Sequence, residues 1–175
     1  IHAHKIYINF NKLQINILFK WINICNKVYN KCVDMFNSGN KIFNLGYMKA
    51  KLEVFKLLFG DNKFDCPYDM LTDEVKQFCS NIKSCYSNLK NGNIRHFKMS
   101  YVNCKNSRTL SIQHKAINKN GIYTNLLGKI KDFDRIIKGK TLCDCKLSYD
   151  YWTKRFFLYV VSYYPKKTNN LTNTV

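Results

Sequence analysis

The stretch KIYINF at residues 5–10 decides the fold, because it alternates polar and apolar side chains and stands alone before a long helical pattern. Strict alternation is typical of a β-strand with one buried face. A lone strand is not stable by itself. We therefore expect it to pair with the strand patterns that return after residue 92, which makes the helices between them an insertion into a sheet.

Three helical patterns follow this strand. The first begins after Asn11, which stands three residues before Gln14 as in a capping box, and its apolar residues keep helical spacing as far as Phe36. The second is predicted over residues 45–59. The third, over residues 70–89, carries the strongest apolar stripe of the chain.

The apolar period changes to two after residue 92, which indicates strands. The predicted strands are residues 97–101 and 110–113, short runs at 121–124 and 127–131, and a hairpin of 142–149 with 155–163.

These patterns predict an α+β fold. Residues 1–10 and 93–165 would form a mostly antiparallel β-barrel, and residues 11–92 would form a three-helix bundle inserted after the first strand. Residues 166–175 are polar and lack periodicity, so we interpret them as a linker.

The net charge of +18 is distributed unevenly. Residues 1–33 hold five Lys and residues 76–131 hold 11 Lys or Arg, both without an acid, whereas residues 34–74 combine seven acids with five Lys. AT-rich coding explains Lys in place of Arg, but it does not explain missing acids. Two acid-free stretches therefore indicate a surface that faces a polyanion. We favour nucleic acid over a membrane surface or another acidic partner.

The eight Cys contain no C-x-x-C pair, so a zinc ribbon is not indicated. Most follow a helical or strand period, as buried thiols do. They predict a reducing compartment: cytoplasm, nucleus or a viral factory. No apolar stretch reaches about 18 residues and no signal peptide is visible, so we expect no membrane partner. A first residue other than Met suggests further residues upstream.

Nothing in this segment predicts catalysis. A metal-dependent nuclease needs clustered carboxylates, and the candidates Asp132, Asp134, Asp144 and Asp150 are interpreted as surface acids because none follows a strand in an Asp-Gly context. The four His show no metal spacing, and no phosphate-binding glycine loop is present. We expect no catalytic residue, metal site or cofactor here.

Several blocks resemble a known family. KIY at residues 5–7 followed by WINICNKVYNK at 21–31 is similar to the opening of TnpB transposon-associated proteins and their Fanzor relatives. Further blocks resemble that family in the same order: PYDMLTDEV at 67–75, CYSNL at 85–89 with RHFKM at 95–99, GIY at 121–123 with LLGKI at 126–130, and DCKLSYD at 144–150.

The resemblance implies that this segment is the wedge and recognition part of an RNA-guided DNA endonuclease of a mobile element. Its partners would be a guide (omega) RNA and double-stranded target DNA, held through their backbones apart from one short motif. The family's RuvC-like nuclease domain, which opens on a D-x-G strand and uses Mg²⁺, would lie on residues beyond this chain. Asn26-Lys27 replaces the family's Arg-Tyr pair, so a phosphate contact of the family at this place is either absent here or moves to Lys27.

Two sets of contact residues follow from position in the family blocks and from residue type. The predicted contacts to the short DNA motif are Thr72, Lys76, Gln77, Gln113 and His114, with Phe43 and Tyr47 as weaker candidates. The predicted contacts to RNA and to the duplex backbone are Lys27, Lys31, Arg95, Lys98, Lys105, Arg108, Lys129 and Lys131.

Two other classes of protein fit the composition. One is a stand-alone RNA- or DNA-binding module or regulator without nuclease activity. The other is a basic structural protein, such as a capsid-associated one, with no preference for any RNA. A strand with D-x-G encoded shortly after residue 175 would favour the nuclease, and a stop codon there would favour the module.

Overall fold

The computed structural model describes residues 2–103, 109–138 and 143–162, with side chains over 4–103, 109–138 and 143–160. The chain begins with one strand, continues with a block of helices and ends mainly in strands. In chain order they are β1 (His2–Ile8), α1 (Lys12–Asn37), a 3₁₀ turn (Lys41–Leu45), α2 (Tyr47–Phe59), α3 (Tyr68–Lys90), β2 (Thr109–Ile112), a 3₁₀ turn (His114–Ala116), β3 (Ile117–Asn118), β4 (Gly121–Ile122), α4 (Thr124–Leu127), α5 (Phe133–Ile137), β5 (Cys145–Asp150) and β6 (Arg155–Ser162).

The predicted capping box starts α1. The Asn11 side chain accepts from the Gln14 backbone N–H at 2.9 Å, and the Gln14 side chain accepts from the Asn11 backbone N–H at 3.0 Å. These two bonds satisfy N–H groups that the helix itself cannot pair. The helix ends at Asn37, and the positive φ of 86° at Gly39 turns the chain away.

The three helices form a bundle, as predicted. Phe78 of α3 lies at its centre and is fully buried. Its ring lies 5.3 Å from the ring of Tyr29, 6.0 Å from that of Phe36 and 5.0 Å from that of Phe43. Tilted and edge-on aromatic pairs at these distances stabilise a core beyond the area they bury.

The main sheet has four antiparallel strands in the order β1-β6-β5-β2. The first strand pairs with the last, with Lys5 opposite Tyr159, so the predicted return of the early strand to the later ones is confirmed. The predicted C-terminal hairpin is also present as β5 and β6. The helices are thus inserted between two paired strands. Helices and sheet share one apolar core, so the predicted domain boundaries at residues 10 and 93 stay a prediction.

The predicted barrel is wrong. Over the described residues the structure has an open four-stranded sheet and a separate pair formed by β3 and β4, and no closed barrel. β1 and β2 lie at the two edges of the open sheet. Closure would need more strands between them, and the segments predicted as strands at 97–101 and 127–131 are not strands.

Residues 97–101 alternate like a strand but lie along α1. The Asn37 side chain pairs with the N–H and C=O of Met99, and the Asn30 side chain pairs with those of Val102. Asn30 and Asn37 are two helical turns apart, about 10 Å, and three extended residues span about 10 Å. The two amides therefore take the place of a neighbouring strand.

The buried thiols behave as apolar residues, as expected. Cys25, Cys32, Cys66 and Cys145 are buried and free. Cys104 lies outside the described residues. The compartment that these thiols suggest stays a prediction. Of the helices in the described ranges, none combines the length and the apolar character needed to cross a membrane.

Candidate nucleic-acid interface

A groove runs between α3 and the edge of the sheet, and we call it the α3–sheet groove. Its volume is about 400 Å³. Polar and charged side chains from α3, from β2 and its continuation, and from β5 line it: Asp73, Lys76, Gln77, Ser80, Ser111, Gln113, Asp144 and Lys146. A second hollow of about 340 Å³ continues it, because Asp73, Gln77, Ser111 and Lys146 line both.

Asp73 links the helix side of the groove to the sheet side. Its carboxylate accepts from the Gln113 side-chain amide at 3.1 and 3.3 Å, and its Oδ1 lies 3.4 Å from the Lys76 ammonium. Lys76 follows Asp73 by one helical turn, so both project from the same face of α3. The carboxylate thus contacts an amide and an ammonium that both line the groove.

Lys76 also borders a further cavity, separate from the α3–sheet groove and its continuation. Lys76 Nζ lies 5.5 Å from the centre of the Tyr47 ring, within range of a cation–π contact. We call this further cavity the aromatic cavity, because Phe43, Tyr47 and Tyr86 line it together with Lys76. Its volume is about 420 Å³. Lys76 therefore stands between a polar groove and an aromatic one.

Glu74 lies beside Asp73 but is largely withdrawn from water. Burial raises its pKa to about 7, and the charge of Asp73 adds to this rise, while Lys146 opposes it. A carboxyl group is harder to ionise where water cannot solvate the charge. The raised pKa keeps part of this group protonated near neutral pH, which reduces the negative charge at the groove.

Two acid–base contacts involve His114 and Lys115, which follow β2, and the first of them borders the groove through Asp144. Asp144 accepts from the backbone N–H of His114 at 2.9 Å, and this bond holds the pKa of Asp144 below its usual value. The His114 ring lies 3.4 Å from the same oxygen. Lys115 pairs with Asp69 at 2.9 Å. His114 and Asp144 are both exposed, so either side chain can reorient toward a ligand.

The structure brings three of the seven predicted DNA-motif residues together in one groove. Lys76, Gln77 and Gln113 line one groove although 36 positions separate the last two in the chain. Thr72 is different, because it is only 9% exposed and its hydroxyl is buried without a partner. Phe43 is buried in the bundle, where it can only form the wall of the aromatic cavity.

The predicted backbone contacts form two groups. Arg95 and Lys98 are exposed near the C-terminal end of α1, where Asn37 holds residue 99. Lys129 and Lys131 are exposed near its N-terminal end, because Gln14 donates to the Lys129 carbonyl at 2.9 Å. From Gln14 to Asn37 the helix spans roughly 35 Å, so one small ligand cannot contact both groups.

The remaining members lie on α1 or beyond the described residues. Lys27 is exposed and Lys31 is half-buried, both on the middle of α1. Lys105 and Arg108 fall outside the described residues.

Sequence reasoning missed two groove residues that the structure makes prominent. Asp73 could have been found, since it lies three and four residues before Lys76 and Gln77 on one helix face. Lys146 could not, because its position depends on the pairing of β5 with β2, where Lys146 lies opposite Ser111. Within the described ranges, no group of three or more His, Cys, Asp or Glu is arranged to hold a metal ion.

Comparison with known proteins gives one informative similarity. No family profile matches the chain. Over 93 residues the chain is 31% identical to a putative transposase of Paramecium bursaria Chlorella virus 1. The match covers 49% of this chain and 22% of the viral protein, so the chain spans about a fifth of the length of that relative. Half of the chain is therefore similar to part of a transposase-like mobile-element protein.

Proposed function

We propose that this chain is a nucleic-acid-binding part of a mobile-element protein of the RNA-guided, TnpB/Fanzor type. In this role it binds a guide RNA and contacts a short motif of double-stranded target DNA. The similarity to a viral transposase supports the mobile-element class. The ordered sequence blocks and the acid-free stretches support the narrower assignment. The open sheet departs from the wedge barrel that the family resemblance implies.

The proposal rests mainly on one observation: two segments that were separately predicted to contact the DNA motif line the same groove. Lys76 and Gln77 of α3 face Gln113 across the α3–sheet groove, and Asp73 holds Lys76 and Gln113 in place. Lysine pairs with the O6 and N7 atoms of guanine, and glutamine pairs with N6 and N7 of adenine, in the major groove of DNA. A carboxylate-braced pair of this kind is suited to base edges more than to phosphates, which Asp73 would repel.

The proposed division of labour follows from charge. Contacts to phosphate supply affinity without sequence information, and contacts to base edges supply specificity. We assign the first task to the exposed cations Lys27, Arg95, Lys98, Lys129 and Lys131. We assign the second task to the α3–sheet groove. Cutting of DNA, which needs metal-bound carboxylates, is not assigned to any described residue.

A selection from duplexes with a randomised segment tests the groove, with the full chain and its co-purified RNA as bait. The wild type should enrich one short motif. Lys76→Gln should relax the preference at one base position by about 1–3 kcal/mol. Lys56→Gln is the matched control, since Lys56 is exposed on α2 in the acid-rich segment, and it should enrich the wild-type motif. An unchanged motif for Lys76→Gln would exclude the groove as the reading site.

Sequencing of RNA that co-purifies with the chain tests the guide. Recovery of one discrete non-coding RNA encoded beside the gene is the expected result. A random mixture of transcripts would contradict the RNA-guided assignment and would favour a general nucleic-acid-binding module.

A further inference from the structure

The outer face of the sheet has an unusual set of side chains. In β6, Phe156, Leu158 and Val160 are buried against the helices, so the alternate residues Arg155, Phe157 and Tyr159 point outward. In β1, Ile8 is buried, so Tyr7 and Lys5, which have the opposite parity, point outward in the same way. We name the outward residues Lys5, Tyr7, Lys146, Ser148, Arg155, Phe157 and Tyr159 the sheet platform.

Strand register arranges the platform in rows. Tyr159 lies between Lys5 and Lys146 in one row. Phe157 lies between Tyr7 and Ser148 in the next. Neighbouring strands are about 4.8 Å apart and alternate residues of one strand about 7 Å apart. Three aromatic rings and two lysines therefore lie within an area comparable to two or three nucleotides.

The rings and cations of the platform are already in contact. Lys5 Nζ lies 4.2 Å from the centre of the Phe157 ring and 6.0 Å from that of Tyr159. The Arg155 guanidinium lies 5.1 Å from the Tyr7 ring. Tyr7 is 44% exposed and Tyr159 is 37% exposed. The rings thus have cations beside them, and Tyr7 and Tyr159 are also partly exposed to solvent.

Charge on this face selects the ligand. Over the described strands, the outward residues include the cations Lys5, Lys146 and Arg155 and a single acid, Asp150. Asp150 accepts from the backbone N–H groups of Trp152 and Thr153 in the hairpin turn, so its charge is directed at the turn. A face exposed only to water would carry polar side chains in place of three rings.

We propose that the sheet platform binds single-stranded nucleic acid, with bases stacked on Tyr7, Phe157 and Tyr159 and phosphates paired with Lys5, Arg155 and Lys146. Aromatic rings on an open four-stranded sheet stack two or three unpaired bases in known RNA-binding modules. Every base has a flat face, so such stacking tolerates many sequences. Paired bases inside a duplex already stack on one another, so their faces are not free to stack on these rings without unstacking the duplex. The ligand is therefore a single strand.

This site deepens the proposed function and shares Lys146 with the α3–sheet groove, but none of its three rings lines that groove. If the groove fails to select a DNA motif, the platform can still bind a single strand. If the platform fails, the groove can still read a duplex. The two ligands, duplex DNA and a single strand, separate the two outcomes.

Fluorescence anisotropy with a labelled 12-nucleotide single-stranded RNA tests the platform, using the full chain freed of co-purified RNA. The double variant Tyr7→Leu with Tyr159→Leu keeps an apolar side chain on the sheet and removes both rings. Loss of stacking should weaken binding of the single strand about tenfold or more. Affinity for duplex DNA should stay within about twofold. A single-stranded DNA of the same sequence, measured in parallel, shows whether the site distinguishes RNA from DNA.

Tyr68→Leu is the matched control. Tyr68 is 45% exposed, has Lys51 5.1 Å from its ring centre, and lies at the start of α3 away from the sheet. This variant should bind the single strand like the wild type. Equal binding by the double variant and the wild type would overturn the proposal, and so would equal losses for the double variant and the control.

Photo-crosslinking of the wild type keeps the test valid if the double variant unfolds. A single-stranded RNA containing 4-thiouridine is bound, irradiated and digested, and the crosslinked peptides are identified by mass spectrometry. Crosslinks at Tyr7, Phe157 or Tyr159 are expected. Crosslinks confined to residues outside β1, β5 and β6 would overturn the proposal.

Discussion

Asp73 and Glu74 are neighbours in sequence, yet they have different physical roles. Asp73 faces the α3–sheet groove and bonds Gln113 and Lys76. Glu74 is largely withdrawn from water, and burial, with help from the charge of Asp73, raises its pKa to about 7. Successive helical residues point about 100° apart, so adjacent carboxyl groups can face environments of different polarity.

Glu74→Gln should change how stability depends on pH. The pKa of Glu74 is near 4.5 in the unfolded chain and about 7 in the folded protein. The folded state therefore binds more protons between these values, and wild-type stability falls as pH rises through this window. Glutamine removes this loss. Urea unfolding should show the variant more stable than the wild type at pH 8, on the order of 1–3 kcal/mol, with little of this advantage at pH 4.5.

The chain provides its own control for this measurement. Glu53→Gln, at the protein's other glutamate, should shift stability by a similar small amount at both pH values. An advantage of Glu74→Gln that is the same at pH 4.5 and pH 8 would contradict the raised pKa.

At the scale of elements, α1 organises the loops around it through polar side chains. Gln14 is buried and donates to the carbonyls of Leu127 and Lys129 at 3.1 and 2.9 Å. Asn30 and Asn37 pair with the backbone at residues 102 and 99. One helix therefore anchors two separate loops that reach the surface as basic segments.

Gln14→Met should destabilise the protein although it preserves helix propensity and volume. The substitution leaves the buried Leu127 carbonyl, the half-buried Lys129 carbonyl and the half-buried Asn11 N–H without their partner. Buried polar groups without partners cost about 1–3 kcal/mol each, so the free energy of unfolding should fall by about 2 kcal/mol or more. Urea unfolding measures this change.

Leu13→Met is the matched control for Gln14, because Leu13 is the preceding residue and is 74% exposed. It should change the free energy of unfolding by less than about 0.5 kcal/mol. If Gln14→Met proved as mild as this control, the amide would not anchor the loop.

Sequence patterns predicted the elements better than their partners. Local signals placed the start of α1 at Asn11, the C-terminal hairpin and the stripe of α3, because caps, turns and helical spacing act over a few residues. The prediction of a barrel was wrong because it needed residues 97–101 as a strand. Their alternation shows that the segment has a polar and an apolar face, but it does not show which groups pair with its backbone. Two asparagines on α1 pair with the backbone of this segment. The sequence shows that these asparagines are on a polar face of the helix, but it does not show what they bind.

The candidate site was predictable in part for the same reason. Lys76, Gln77 and Gln113 were chosen from residue type and from position in the family blocks, and the fold brings them to one groove, where their role stays a prediction. Thr72 was placed on the polar side of α3 but is buried against its neighbours. Lys146 and the outward rings of the sheet platform depend on strand register, which emerges only when four distant segments pair.

For the whole molecule, the central claim concerns where charge of each sign lies. The acid-free stretches supply most of α1, most of α3 and the loops anchored on α1. The acids are concentrated in residues 34–74, which include α2 and the start of α3. A polyanion lowers its free energy most where cations are not neutralised by nearby acids.

Lysine acetylation read by mass spectrometry, with and without bound nucleic acid, tests this claim most directly. Binding should protect exposed lysines of the acid-free stretches, such as Lys27, Lys98 and Lys129, and should leave Lys56 and Lys63 reactive. Protection of Lys56 and Lys63, with Lys27, Lys98 and Lys129 still fully modified, would contradict it.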